Sequence, residues 1–102
     1  MSYFRLFVDD SRQFPSSGYE CCRTVSEATL LLDIIHFDYI TLDYSLADNE
    51  TGMEILIYMK ENNIFVANIN IHSNNIFGRE EMRNYCIQNF PNSKITMNIL
   101  PK

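Results

Sequence analysis

Basic charge is scarce in this 102-residue chain: 8 lysines and arginines face 13 acidic residues, for a net charge of −5. That deficit excludes non-specific duplex binding through a phosphate-neutralising face. It leaves room for a short nucleic-acid end in a pocket, because screening hides most of the surface from such an end. No apolar stretch approaches the roughly 20 residues of a membrane span, and residues 1–7 lack the basic and apolar regions of a signal peptide. A cytoplasmic protein is therefore expected. The three cysteines, Cys21, Cys22 and Cys86, are odd in number and lack C-x-x-C or nearby histidine spacing. Neither a disulfide framework nor a zinc site is indicated, and small core residues are the simplest reading. Repeats, linkers and low-complexity tracts are absent.

With 46% hydrophobic and 21% charged residues, the chain is an ordinary globular one, and 1–102 is read as a single domain. A mostly apolar run over 3–8 ends at the acidic pair Asp9-Asp10, and 10–19 is rich in turn residues. A short strand is expected over 21–25, followed by a helix that Thr24 and Glu27 open as a capping box. Ala28, Leu31, Leu32 and Ile35 form its apolar stripe. Residues 39–42 read as a buried parallel strand ending at Asp43. Thr51 and Glu54 open a second helix reaching to about Asn63, with Ile55, Leu56, Met53 and Met59 on its buried side. A strand over 64–71 ends at His72-Ser73. A helix over 78–90 carries Met82, Tyr85, Cys86 and Phe90 and stops at Pro91, and a last strand covers 94–100.

Alternation of this kind builds a parallel sheet with crossover helices, and ligands bind beyond the carboxyl ends of its strands. Asp9, Asp10, Asp43, His72, Ser73 and Lys102 stand at those ends. Two carboxylates 4 Å apart repel by about 4 kcal/mol at an effective dielectric near 20, so three together call for a cation. Oxygen donors open to solvent suit Mg²⁺ or Mn²⁺, whereas zinc would want nitrogen or sulfur. His72 is either a satisfied core histidine or a general acid or base. Asn74, Asn75 and Gly78 form a loop opening a helix, whose N–H groups can hold an anion, or simply a turn. Arg12 can grip a phosphate or balance the acidic pair, and Arg79 reads as a solvated residue of a first helical turn.

Val8-Asp9-Asp10, Leu42-Asp43, Thr51-Gly52 and Ser73 together resemble the receiver domain of two-component response regulators. Asp9-Asp10-Ser11-Arg12, Leu42-Asp43-Tyr44-Ser45-Leu46 and His72-Ser73-Asn74-Asn75-Ile76-Phe77-Gly78 resemble, more specifically, the receiver-like family that processes cyclic phosphates. The resemblance implies a three-layer, flavodoxin-like α/β fold: a five-stranded parallel sheet of order 2-1-3-4-5 with reduced helices. It implies that Asp9, Asp10, Asp43 and the Tyr44 carbonyl hold the metal, and that the Ser73 hydroxyl contacts a phosphoryl group at Asp43. Three departures stand out. Receivers end their fifth strand in Lys-Pro, whereas here the order is Pro101-Lys102. The loop to Tyr19 replaces the first receiver helix, and no room remains for a fifth. Ser45 stands where a second acidic residue often occurs.

The expectation is a metal-dependent domain acting on a cyclic phosphate, a nucleotide or an RNA end. Asp43, His72 and Ser73 would be catalytic, and Arg12, Asn74, Asn75 and Gly78 would bind phosphate. Two other readings stay open: a stand-alone receiver phosphorylated on Asp43, and a degenerate receiver serving protein interaction. Whether the chain is an enzyme is open at this point. The expected partner is a phosphate-bearing small molecule or nucleic-acid end, with no membrane and with room for a protein partner.

Overall fold

The computed structural model describes residues 4–11 and 18–98. Strands β1 (Arg5–Val8), β2 (Glu20–Cys22), β3 (Tyr39–Leu42), β4 (Asn68–Ile71) and β5 (Lys94–Thr96) alternate with helices α1 (Val25–Ile34), α2 (Gly52–Glu61) and α3 (Ile76–Asn89). The sheet is parallel throughout, in the order β2-β1-β3-β4-β5. This is the receiver, flavodoxin-like topology, and it places the carboxyl ends of all five strands along one edge.

The two sheet faces differ sharply. Leu6, Val8, Ile40, Leu42, Ile69 and Ile71 point one way and are fully buried with Ala28 and Leu32 of α1, Ile55, Leu56 and Met59 of α2, and Met82 and Cys86 of α3. Each leucine, isoleucine, valine or methionine among them contributes about 1.5–3 kcal/mol by burial, so this layer carries most of the stability. All three helices lie on this face, and among the described residues no helix covers the other. The second face instead bears Phe7, Thr41, Asn70 and Thr96, which stand opposite one another in register across four strands.

Local chemistry sets the element ends. Thr24 caps α1 by accepting from the Glu27 N–H at 3.1 Å, but the Glu27 carboxylate accepts from Arg23 N–H rather than completing the box on Thr24. Val25 belongs to α1, so β2 ends earlier than the expected strand. At α2 the box is complete, with Glu54 accepting the Thr51 N–H at 2.9 Å. The helix ends two residues before the expected limit, and Asn63 follows it in a left-handed turn at φ 55° that asparagine tolerates. Residues 64–67 are not strand: Ile64 N–H still bonds the Met59 carbonyl, and Val66 is buried in the core. Helix α3 starts two residues before the expected position because Asn75 caps it. Strand β5 ends at Thr96, short of the expected 94–100, and residues 99–102 lie outside the described residues.

Gly52 is where a side chain could not be accommodated. A Cβ there would collide with the Asp43 carbonyl oxygen and crowd the Met82 sulfur at 2.9 Å. Gly52→Ala is expected to destabilise the fold by about 2 kcal/mol, as overpacking against backbone does. Urea unfolding checks this. The loss should come with weaker cation binding, because the strain falls on Asp43.

Candidate functional site

The parallel ladder runs one residue past the strands. The Asp9 N–H bonds the Cys22 carbonyl at 3.2 Å, Asp43 N–H the Val8 carbonyl at 3.1 Å, and His72 N–H the Leu42 carbonyl at 2.9 Å. These bonds hold Asp9, Asp43 and His72 side by side, and alternation along the strands turns them to the Phe7–Thr41–Asn70 face. Carboxylate oxygens of Asp9, Asp10 and Asp43 all lie within 4.8 Å of one another. The convergence expected from sequence is thus present.

Beside it opens a cleft of about 290 Å³ lined by Ser11, Asp43, Ser45, Ser73, Asn74 and Asn75. Asp43 is the only ionisable side chain among these. The loop after β3 presents Ser45: Ser45 and Thr51 form an isolated bridge, and Gly52 N–H donates to the Tyr44 carbonyl at 2.8 Å. On the far side, Ser73 is buried and its hydroxyl accepts from Asn75 N–H at 3.2 Å.

Burial pushes the Asp43 carboxyl above its ordinary 3.8, opposed by hydrogen bonding with Ser73 and reinforced by the negative charge of Asp9. A carboxyl raised in the folded state contributes stability that is fully present below its unfolded value and is lost as pH rises through the folded one. At neutral pH its charge weighs against the fold until a cation neutralises it. Mg²⁺ is therefore expected to raise the melting temperature more at neutral pH than in acid, which scanning fluorimetry across pH reads directly.

His72 is not at the cleft. Its side chain is 0% exposed, Nε2 lies 2.9 Å from Asp9 Oδ2, and Nδ1 lies 2.6 Å from the Thr41 hydroxyl. With both nitrogens engaged and its ring stacked on Phe7 at 5.0 Å, His72 supports Asp9 instead of facing a ligand. Asp9 is equally buried, and its second oxygen, Oδ1, accepts from Ser11 N–H at 2.9 Å.

Other expected site residues are placed differently. Gly78 does not line the cleft: its N–H donates to the Asn75 side chain at 2.9 Å, and the Tyr44 ring lies against it so closely that a Cβ would strike the ring. The Tyr44 carbonyl is engaged by Gly52 N–H, and Ser45 rather than Tyr44 borders the cleft. Arg79 is not simply solvated. It donates from Nη1 to the Ser73 carbonyl at 3.3 Å, and its buried Nε has no partner among the described residues. Arg12 and Lys102 lie outside the described residues.

Ser11, Thr41 and Asn70 escaped the sequence reading as functional residues. The signal was present in Asn68-Ile69-Asn70-Ile71-His72, a period-two run whose polar members mark the second sheet face. The buried thiols are inert: burial raises Cys22 and Cys86 to about 12. Among the described residues no helix is long and apolar enough to cross a membrane.

Residues 4–88 match a protein family described as the cyclic-phosphate processing receiver domain. Neither the curated proteins nor the solved structures yield a match.

Proposed function

The chain belongs to the cyclic-phosphate processing receiver family, and on that premise we propose that it is a divalent-metal-dependent domain acting on a cyclic phosphate at a nucleotide or RNA end. The observation that carries the reading is the union of two features at Asp43: this residue completes the acidic triad and is also the one ionisable side chain on the cleft wall among the described residues. Three hard oxygen donors, one of them raised above its ordinary pKa by burial and by the Asp9 charge, fit Mg²⁺ or Mn²⁺. When bound, such a cation neutralises phosphate charge and makes water a better nucleophile.

The remaining residues bind and orient. Ser73 and the Asn74 and Asn75 amides border the cleft opposite Ser45 and supply donors for phosphate oxygens. Arg12, two residues after the acidic pair in sequence, is the proposed phosphate cation. His72 acts through Asp9, holding one carboxylate oxygen in place. Ile76 and Phe77, exposed just beyond Asn75, offer an apolar surface for a base, which favours a nucleotide over free phosphate. We place the activity in the cytoplasm, where Mg²⁺, nucleotides and RNA ends occur together; the three cysteines are all free thiols.

One observation favours a second reading. Asp43 and the Ser73 hydroxyl line the same cleft, which also suits a phosphoacceptor aspartate with its hydroxyl partner, the arrangement of a signalling receiver. Phosphorus NMR in the presence of Mg²⁺ separates the two. The proposal expects turnover of a 2′,3′-cyclic nucleotide that disappears in Asp43→Ala. A stable acyl phosphate formed from acetyl phosphate and abolished by Asp43→Asn, without turnover of cyclic substrates, would establish the switch instead.

A further inference from the structure

Thr41, Asn70 and His72 are polar side chains with no exposed surface, so the protein itself must satisfy their donors and acceptors. Their bonds form a directed chain whose direction is set at the end of β5. The Asn98 backbone N–H can only donate, and it meets Asn70 Oδ1 at 2.9 Å, as does the Thr96 hydroxyl at 2.7 Å. The other end of the Asn70 amide is therefore NH₂. It donates to the Asn98 carbonyl and to Thr41 Oγ1, each at 2.9 Å. The Thr41 oxygen accepts there and keeps its one hydrogen to donate, and His72 Nδ1 lies 2.6 Å away. On the other side of the ring the Asp9 carboxylate can only accept, so the hydrogen of the neutral ring sits on Nε2, 2.9 Å from Asp9 Oδ2, and Nδ1 accepts from Thr41.

We propose that Thr41 and Asn70 are positioning residues for the acidic triad: anchored on the Asn98 peptide, they select the Nε2–H tautomer of His72, and that tautomer holds the Asp9 carboxylate beside Asp10 and Asp43. In the other tautomer a nitrogen lone pair would face the carboxylate, and the two would repel. The end of β5 is thereby linked to the pocket through five residues on four strands and strand ends, with no group reaching the cleft itself. The effect on cation affinity rests on the metal reading above; the tautomer does not.

Nitrogen NMR of the His72 ring in the metal-free full chain tests the relay. The parent is expected to show an unprotonated, hydrogen-bonded Nδ1 and a protonated Nε2. Thr41→Val keeps the shape and removes the hydroxyl, so Nδ1 should lose the shift of a hydrogen-bonded acceptor and the variant should bind Mn²⁺ about tenfold more weakly. Thr41→Ser restores the hydroxyl and should recover both the shifts and the affinity, which a purely packing role for Thr41 would not produce. An Nδ1–H ring in the parent overturns the proposal whatever the variants do, and so does a folded Thr41→Val with unchanged shifts. If Thr41→Val does not fold, the parent shifts together with Thr41→Ser decide the matter. Expected ring shifts in a parent that binds no Mn²⁺ would uphold the tautomer relay and overturn the metal reading alone.

Discussion

In the absence of divalent cations, His72→Ala is expected to lower the unfolding free energy by about 3 kcal/mol, because it strips the partner from a fully buried carboxylate. Asp9 and His72 are both 0% exposed and 2.9 Å apart. Truncation also removes the ring stacked on Phe7 and orphans the Thr41 hydroxyl. For a domain of about 100 residues such a loss corresponds to more than ~10 °C in melting temperature. A bound cation offers Asp9 a compensating charge, so Mg²⁺ should recover part of the deficit and stabilise the variant by more than it stabilises the parent. Thermal melts with and without Mg²⁺ measure both effects. A deficit below about 1 kcal/mol would mean that the bond is worth no more than an ordinary exposed one.

Asp43→Asn is expected to weaken Mn²⁺ binding by about 100-fold, the upper end of what even outer-shell changes produce, since here a ligating charge itself is lost. The same substitution should make the metal-free protein more stable at neutral pH, because the Asp43 carboxyl is raised by burial and by the Asp9 charge. Its ionised form weighs against the fold, and the amide carries no such charge. Opposite signs for stability and binding mark a functional residue that the fold tolerates rather than needs. Calorimetric titration and denaturant unfolding on one preparation read both. A stability loss accompanying unchanged Mn²⁺ affinity would remove Asp43 from the cation site.

The convergence of Asp9, Asp10 and Asp43 was legible because it is written locally: two apolar runs end in acid, and parallel pairing brings such ends together. The caps at Thr24, Thr51 and Pro91 were legible for the same reason. Burial of His72 was not, because it depends on the register of β4 against β3 and on Thr41, residues 31 positions apart in the chain. Gly78 looked like part of an anion-binding turn, yet its missing side chain makes room for the Tyr44 ring. Only the packing of the loop after β3 against the start of α3 could reveal that. Placement of all three helices on the aliphatic face was implicit in the alternation of β4, where isoleucines and asparagines take opposite sides. The polar side reads as surface until its partners Thr41, Thr96 and Asn98 are seen.

The central claim is that one pocket at this sheet edge takes a divalent cation and a cyclic phosphate together. Amide chemical-shift mapping with a slowly hydrolysed 2′,3′-cyclic phosphorothioate tests it most directly. The account predicts shifts at Ser11, Ser45, Ser73, Asn74 and Asn75 that appear only when Mg²⁺ is present and vanish in Asp43→Asn. Shifts confined to another surface, or unchanged by Mg²⁺ and by the substitution, would contradict it.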